Sequence, residues 1–79
     1  MQSYDFLVKL LVEEFGVSPE ELMPEATPSG LGLYSLSTIE MVRELEEEFG
    51  IKFSNEQVKF STLGEAAHLA DELIGAKES

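Results

Sequence analysis

Residues 31–51, which read "LGLYSLSTIEMVRELEEEFGI", decide the fold of this chain. When they are placed at about 100° per residue, one side of the resulting helix collects core-facing side chains and the opposite side collects acids. The core-facing set is Thr38, Met41, Val42, Leu45 and Phe49, and the acidic set is Glu40, Glu44, Glu47 and Glu48. The pattern predicts an amphipathic helix that begins at Ser35 or Leu36 and ends at Phe49.

Two ways of starting this helix fit the sequence. Ser37 and Glu40 have the spacing of a capping box, in which each side chain bonds the backbone N–H of the other residue. Ser35 with Thr38 also fits the start of the helix. The same helical projection places Leu36 away from the core and among acids, so we expect an exposed leucine directly after Ser35.

Two further segments have helical periodicity and their own capping residues. In the first, Ser3 is the predicted N-cap and Gly16 the left-handed residue that ends the helix. Its apolar positions are Tyr4, Leu7, Val8, Leu11 and Phe15. The last begins at Thr62, paired with Glu65 in a capping box, and is predicted to stop at Gly75. Its apolar positions are Ala66, Leu69, Ala70, Leu73 and Ile74.

The segments between these helices are predicted to be a long loop and a short helix. Residues 17–34 contain too many prolines and glycines for a long helix, and we expect their apolar side chains to tether the loop to the core. Those side chains are Leu22, Met23, Leu31 and Leu33. Ser54 and Gln57 form a further capping box with room for one or two helical turns. No segment alternates long enough to form a convincing strand. The predicted fold is therefore all-α: residues 1–79 form one domain, a small four-helix bundle with three main helices and a short third helix.

Composition limits the classes of function. The chain has 16 acidic and 5 basic residues and a net charge of -11, which argues against a nucleic-acid partner and favours a basic protein surface. It has no cysteine, so it has no disulfide framework, as suits a reducing cytoplasm. Its first residues resemble neither a secretory signal nor a membrane span. We expect a soluble, cytoplasmic monomer.

Catalytic and metal chemistry find little support in the sequence. A serine nucleophile needs a base within hydrogen-bond reach, and the only histidine, His68, points away from the apolar side of its helix. No metal-ligand spacing is present. We therefore expect no catalytic residue, no metal site and no enzymatic activity. What remains for Ser35 is a helix cap or a hydroxyl modified by another enzyme, and the start of a helix favours an attached phosphate.

The stretch at 31–51 resembles the core motif of acyl carrier proteins, in which a D-S-L tripeptide opens the second helix and the serine carries 4′-phosphopantetheine. The resemblance covers essentially the whole chain, including "FGV", "LEEEFGI" and "FSTLGEAAHLADELI". It implies that a phosphopantetheinyl transferase loads Ser35 from coenzyme A, and that the arm's thiol carries acyl groups as thioesters. It also implies that partner enzymes use basic patches of their own surface to dock on Leu36 and on the acids of the second helix. With their neighbours, these partner-binding residues are Leu36, Glu40, Arg43, Glu44, Glu46, Glu47 and Glu48.

Three residues depart from the pattern of that family. Tyr34 stands where an aspartate usually precedes the serine, Gly30 replaces an aspartate five residues before it, and Arg43 replaces an apolar residue. These departures fit a specialised carrier better than a housekeeping one, and the resemblance implies that its pathway is fatty-acid, polyketide or related lipid synthesis. Two alternatives stay open at this point: an acidic adaptor module without a prosthetic group, and an aminoacyl or peptidyl carrier.

Overall fold

The computed structural model of the chain describes residues 2–78, and all of its regular secondary structure is helical. Helix α1 comprises Gln2–Glu13, α2 comprises Ser35–Phe49 and α3 comprises Leu63–Glu78. Two short 3₁₀ turns, Pro19–Glu21 and Ser29–Leu31, lie in the long loop between α1 and α2. No strand occurs in the described part of the chain, so the predicted all-α class is confirmed.

The core forms where α1 packs against both α2 and α3. Its buried side chains come from all three helices and from the loops next to them. They are Leu7, Leu10, Leu11, Val17, Leu33, Met41, Val42, Leu45, Ile51, Phe53, Leu63, Ala66, Ala67 and Ala70. At the edge of this core the ring of Phe6 meets that of Phe49 edge to face, with centroids 5.5 Å apart. The core-facing side of α2 is therefore the one that periodicity predicts.

The predicted short third helix is not confirmed, because residues 55–58 form a single hydrogen-bonded turn. Its capping pair is present: the Ser54 N–H donates to Gln57 Oε1 at 2.9 Å, and the Gln57 N–H donates to Ser54 Oγ at 3.2 Å. The Val58 N–H bonds the Ser54 carbonyl, but the chain then leaves the helical path. A cap stabilises the start of a helix, but it does not add the further turns whose hydrogen bonds offset the free-energy cost of nucleation. The described residues thus form three helices and not four.

Two predicted helix ends are also wrong. Ser3 does not cap α1 but lies inside it, fully buried, where its hydroxyl donates to the Ala67 carbonyl at 2.8 Å and lies 2.5 Å from Oδ1 of Asp71. This contact ties α1 to α3. Gly75 does not stop α3, which continues to Glu78. A glycine ends a helix when it adopts a left-handed conformation, and Gly75 has no positive φ.

The two "EEFG" segments end their helices as predicted. Gly16 and Gly50 have left-handed φ angles of 68° and 63°. After α1 the Val17 N–H folds back to the Leu11 carbonyl at 2.9 Å, and after α2 the Gly50 N–H bonds the Glu46 carbonyl. Each glycine reverses the chain towards the core, at positions where a side chain would be strained.

The long loop is held against the start of α3. The backbone N–H of Leu63 donates to the Ala26 carbonyl, and that of Gly64 to the Pro24 carbonyl, both at 2.9 Å. Leu33 is buried, and Leu22 and Leu31 pack partly against the core, but Met23 is 47% exposed and does not tether the loop as predicted. The remainder of the loop runs beside the start of α2.

Candidate functional site

Ser35 is the first residue of α2 and its side chain is exposed. Tyr34 occupies the N-cap position with extended backbone and makes no side-chain capping bond, while its carbonyl accepts the Thr38 N–H at 3.0 Å. Neither predicted cap is formed: the Ser37–Glu40 box is absent, and Ser35 does not cap with Thr38. Among residues 2–78 the Ser35 hydroxyl has no hydrogen-bond partner.

The N-terminus of α2 is left open, in contrast to that of α3. The Glu65 N–H donates to Thr62 Oγ1 at 3.1 Å, so the Thr62 half of the predicted capping box is confirmed, while Glu65 Oε1 accepts the N–H of Ser61, at 2.8 Å, instead of that of Thr62. At α2 the N–H groups of residues 35–37 find no acceptor within the described chain. These unpaired donors and the helix dipole make the position beside Ser35 favourable for an anion.

A groove of about 840 Å³ begins at Ser35 and follows α2. The loop forms one wall of this groove, and the segment around residues 58–61 forms the other. Leu33 and Val42, each 5% exposed, provide its apolar floor. The remaining lining residues are Thr27, Pro28, Ser29, Tyr34, Thr38, Ile39, Arg43, Glu46, Val58, Phe60 and Ser61. The Ser35 hydroxyl thus lies beside a concave surface large enough for a flexible organic group.

The outward face of α2 carries an apolar patch beside Ser35. Leu36 is 70% exposed, as predicted, and Tyr34 is exposed to the same extent. Ile39, at 55% exposure, was missed by the sequence reasoning. The helical projection that identifies Leu36 would have found it, since Ile39 lies one turn after Ser35 and outside the core-facing set. The patch lies at the start of α2.

Charged residues border this patch. Glu40, Arg43, Glu47 and Glu48 are exposed, and Glu44 is half-buried. None of them forms an ion pair. Among the described side chains only His68 and Glu72 form one, with His68 Nε2 3.2 Å from Glu72 Oε1. The acids of α2 therefore keep their charge available to a partner surface.

Glu46 differs from the other acids of α2. It is half-buried, and its Oε2 accepts the Phe53 N–H at 2.8 Å. This bond holds the chain that leaves α2 and positions the buried Phe53 ring. Although the resemblance places Glu46 among the docking acids, one of its oxygens is engaged within the fold.

Two other residues considered in the sequence analysis, His68 and Gly30, lie outside α2. His68 is exposed on α3, as predicted. Gly30 lies in a 3₁₀ turn of the loop, where its N–H donates to Thr27 Oγ1 at 3.1 Å. Within residues 2–78 no cluster of side chains has the arrangement of a metal site, and no helix is long and apolar enough to cross a membrane.

A protein-family model described as a phosphopantetheine attachment site matches residues 5–70. The chain belongs to this family. Members of the family are carrier domains that receive 4′-phosphopantetheine covalently from a transferase and present cargo to partner enzymes. This carrier domain accordingly takes that cofactor, and such domains are typically non-catalytic.

The residues at the start of α2 fit the cofactor. The group needs an accessible hydroxyl for its phosphodiester, and Ser35 provides one without an internal partner. It also brings a negative charge, which the open N–H groups of residues 35–37 favour. When bound, the group supplies a thiol at the end of a flexible arm, to which cargo is joined as a thioester. In this chain the Ser35 hydroxyl and the open N–H groups at the start of α2 are the residues that would hold the group.

Proposed function

We propose that the chain is an acyl carrier protein, loaded with 4′-phosphopantetheine at Ser35, which presents acyl intermediates to the enzymes of a specialised fatty-acid, polyketide or related lipid pathway. The observation that carries this proposal is the exposed, unpartnered hydroxyl of Ser35 at the uncapped N-terminus of α2. The family match supports the carrier role, and the acyl cargo and the pathway belong to the proposal.

Loading is a phosphoryl-group transfer in which coenzyme A is the second substrate. Ser35 Oγ attacks the phosphorus atom that bears pantetheine, and a new P–O bond forms. The P–O bond to the nucleotide breaks, and adenosine 3′,5′-bisphosphate leaves. The hydroxyl proton passes to a base of the transferase, since the only histidine of the carrier lies on α3. The open N–H groups of α2 then stabilise the phosphodiester.

Partner enzymes dock on the outward face of α2 in this proposal. Leu36 and Ile39 provide apolar contact, and Glu40 and Glu47 face basic residues of the partner. Glu44 and Glu48 add charge at the edge, and Arg43 lies inside this acidic surface. We place the carrier in the cytoplasm as a monomer with no nucleic-acid partner, in keeping with its net charge of -11.

The test is intact-mass measurement after incubation with coenzyme A and a broad-specificity transferase. We expect the unmutated protein to gain the mass of one phosphopantetheine and Ser35→Ala to gain none. Ser37→Ala is the matched control, because Ser37 lies in the same turn of α2 but lines a separate cavity of about 510 Å³. A wild-type protein that gains no mass would overturn the proposal.

One observation favours a second candidate, an acidic adaptor that works without the arm. Tyr34 is 70% exposed and places no acid before the serine. An adaptor would keep pathway activity in the host after Ser35→Ala and lose it after Glu47→Lys. A carrier loses activity after Ser35→Ala.

The mass of the protein recovered from its host would separate acyl cargo from aminoacyl or peptidyl cargo.

A further inference from the structure

Arg43 is the only basic residue of α2, and its charge is not used within the fold. The side chain is exposed, and it forms neither an ion pair nor a hydrogen bond with the described residues. Glu40 lies three residues before it and Glu47 four residues after it, which are the spacings at which ion pairs form on a helix. Neither carboxylate is within ion-pair distance of the guanidinium group. The N–H donors of Arg43 are therefore free to bind a group from outside the chain.

Arg43 lies between two concave surfaces on the exposed side of α2. One is the groove that begins at Ser35, and the other is the cavity of about 510 Å³ lined by Glu14, Glu40 and Glu44. Of all the residues that line these two surfaces, Arg43 alone belongs to both. It is eight residues from Ser35, or about 12 Å along the helix. A protein interface buries roughly 800 Å² on each partner, so an enzyme docked over Ser35 also covers Arg43.

The charges around Arg43 determine which kind of anion can bind it. A small free anion is repelled by the net charge of -11, and so is a nucleic acid. A protein surface can instead bring cations for Glu40 and Glu47 together with one carboxylate for Arg43. Arginine binds a carboxylate through two parallel hydrogen bonds, which makes the pair strong and directional. The complementary surface is therefore a basic patch that contains an aspartate or a glutamate.

The same guanidinium group opposes docking by a patch that is basic throughout. Such a patch would place a lysine or an arginine against Arg43, and like charges facing each other across an interface are unfavourable. It would also remove water from the guanidinium group without offering an acceptor. A single residue can thus favour one class of partner and exclude another.

We propose that Arg43 determines partner choice: the enzymes that use this carrier place an aspartate or glutamate opposite Arg43 within an otherwise basic docking surface, and enzymes whose docking surface is wholly basic are rejected. The inference rests on the proposed carrier function and names the chemistry of the partner. It separates Arg43 from the acids of α2, which attract basic surfaces of both classes.

The first test identifies the partner surface that faces Arg43. A photo-crosslinking amino acid replaces Ile39, which is 55% exposed and lies one turn before Arg43, so the arginine stays intact. The loaded protein, confirmed by intact mass, is irradiated in its host, and the crosslinked peptide is sequenced. We expect a basic segment that contains an aspartate or a glutamate. A segment without an acid, or a loaded protein that crosslinks to nothing, would overturn the inference, whereas failure to load would reject the proposed function itself.

Charge reversal then tests the pair with the partner found in this way. We expect Arg43→Glu to raise the Kd of the loaded carrier about tenfold or more, and replacement of the facing acid by Lys to bring it back to within about threefold of the original. Lys9→Glu is the matched control, because it changes the net charge equally from an exposed position on α1 that lines neither concave surface. If Lys9→Glu had the same effect, or if no replacement of an acid in the crosslinked segment restored binding to Arg43→Glu, the inference would be wrong.

A condensing enzyme with only lysine and arginine on its docking surface tests the rejected class. The carrier is loaded with an octanoyl group, which is uncharged, so that a carboxylate of the cargo cannot account for the result. Arg43→Met removes the charge and keeps a long side chain, and we expect it to lower the KM of this enzyme about fivefold while weakening binding to the crosslinked partner. Weaker binding to both enzymes would show that Arg43 is a general contact and would contradict the proposed selection.

Discussion

At the scale of single residues, neighbouring acids of α2 have different tasks. Glu46 and Glu47 are adjacent in sequence, yet Glu46 is half-buried and bonds the Phe53 N–H, whereas Glu47 is exposed and has no ion-pair partner among the described side chains. Loss of a charged acceptor from a partly buried N–H costs stability, while loss of one exposed acid from a crowded acidic surface does not. The two residues can therefore be separated by experiment.

We expect Glu46→Ala to lower the free energy of unfolding by about 1–2 kcal/mol, because the Phe53 N–H loses its acceptor. Glu47→Ala, the matched control, should change it by less than about 0.5 kcal/mol. Urea denaturation of the unloaded proteins measures both. If the two variants lost the same stability, Glu46 would have no special structural role.

A second residue-scale prediction concerns Tyr4, which lies half-buried on α1. Burial raises the pKa of its phenol above the ordinary 10.0, and the negative charges of Glu25 and Asp5 raise the pKa further. The folded protein therefore holds this proton more tightly than the unfolded chain. Between pH 10 and the higher folded pKa the unfolded state binds fewer protons, so stability falls as pH rises through that window.

Alkaline titration of the Tyr34→Phe variant, followed by phenolate absorbance, reports Tyr4 alone, since the chain has two tyrosines. We expect a midpoint above 10.0. The loss of stability above pH 10 should be smaller when Tyr4 is also replaced by Phe. A midpoint at or below 10.0 would contradict the burial of this phenol.

At the scale of helices and loops, periodicity predicts more than local capping signals do. The helical repeat predicts both the core-facing side of α2 and the exposure of Leu36. This repeat is a local property that the sequence of α2 contains by itself. Ser3 and Gly75 were misassigned, because tertiary contact buries Ser3 against α3 and because glycine adopts helical angles inside a stable helix. The capping pair at Ser54 is real but begins only one turn.

The groove could not be predicted from these signals. Its walls come from residues 27–34 and 58–61, which lie far apart in sequence and meet only because α3 holds the loop through the carbonyls of Pro24 and Ala26. Ser35, the proposed attachment residue, is by contrast singled out by a local motif, and the structure places it at a helix start with an exposed side chain. Local patterns thus locate Ser35, whereas the surface beside it depends on packing.

Two glycines at helix ends provide a matched test of these elements. Gly50 has a φ of 63°, and an added Cβ would lie 2.5 Å from Lys77 Nζ, which donates to the Phe49 carbonyl. We expect Gly50→Ala to destabilise the protein by about 1 kcal/mol or more. Gly75 lies within α3 with no atom within 4 Å of an added Cβ, so Gly75→Ala should stabilise it by about 0.5–1 kcal/mol. Thermal unfolding of both variants measures these changes in stability. If both substitutions raised Tm, or both lowered it, the result would contradict the structure.

At the scale of the whole molecule, a compact shape coexists with a large charge. The radius of gyration is 11.6 Å, close to the value of about 12 Å expected for a folded chain of this length. The net charge is -11. Among the described residues only Glu72 is in an ion pair, with His68, so the other acids have no basic side chain within ion-pair distance. Charge repulsion therefore opposes the compact state, while the same charge favours a basic partner.

This balance predicts that added salt stabilises the protein. Sodium chloride screens repulsion between surface acids, so Tm should rise between low salt and physiological ionic strength. Glu48→Lys lowers the net negative charge and adds a cation near the C-terminal end of α2, so it should raise Tm at low salt and weaken the salt dependence. A Tm that ignores salt in both proteins would show that repulsion is not significant.

The central claim, that Ser35 carries the arm, is tested most directly by locating the modification in protein recovered from its own host. Cleavage after Lys9 and Arg43 gives a peptide of residues 10–43, and fragmentation of that peptide distinguishes Ser35 from Ser29 and Ser37. We predict phosphopantetheine on Ser35 and on no other serine of the peptide. A peptide that is unmodified in the host, or modified at a different serine, would contradict the account.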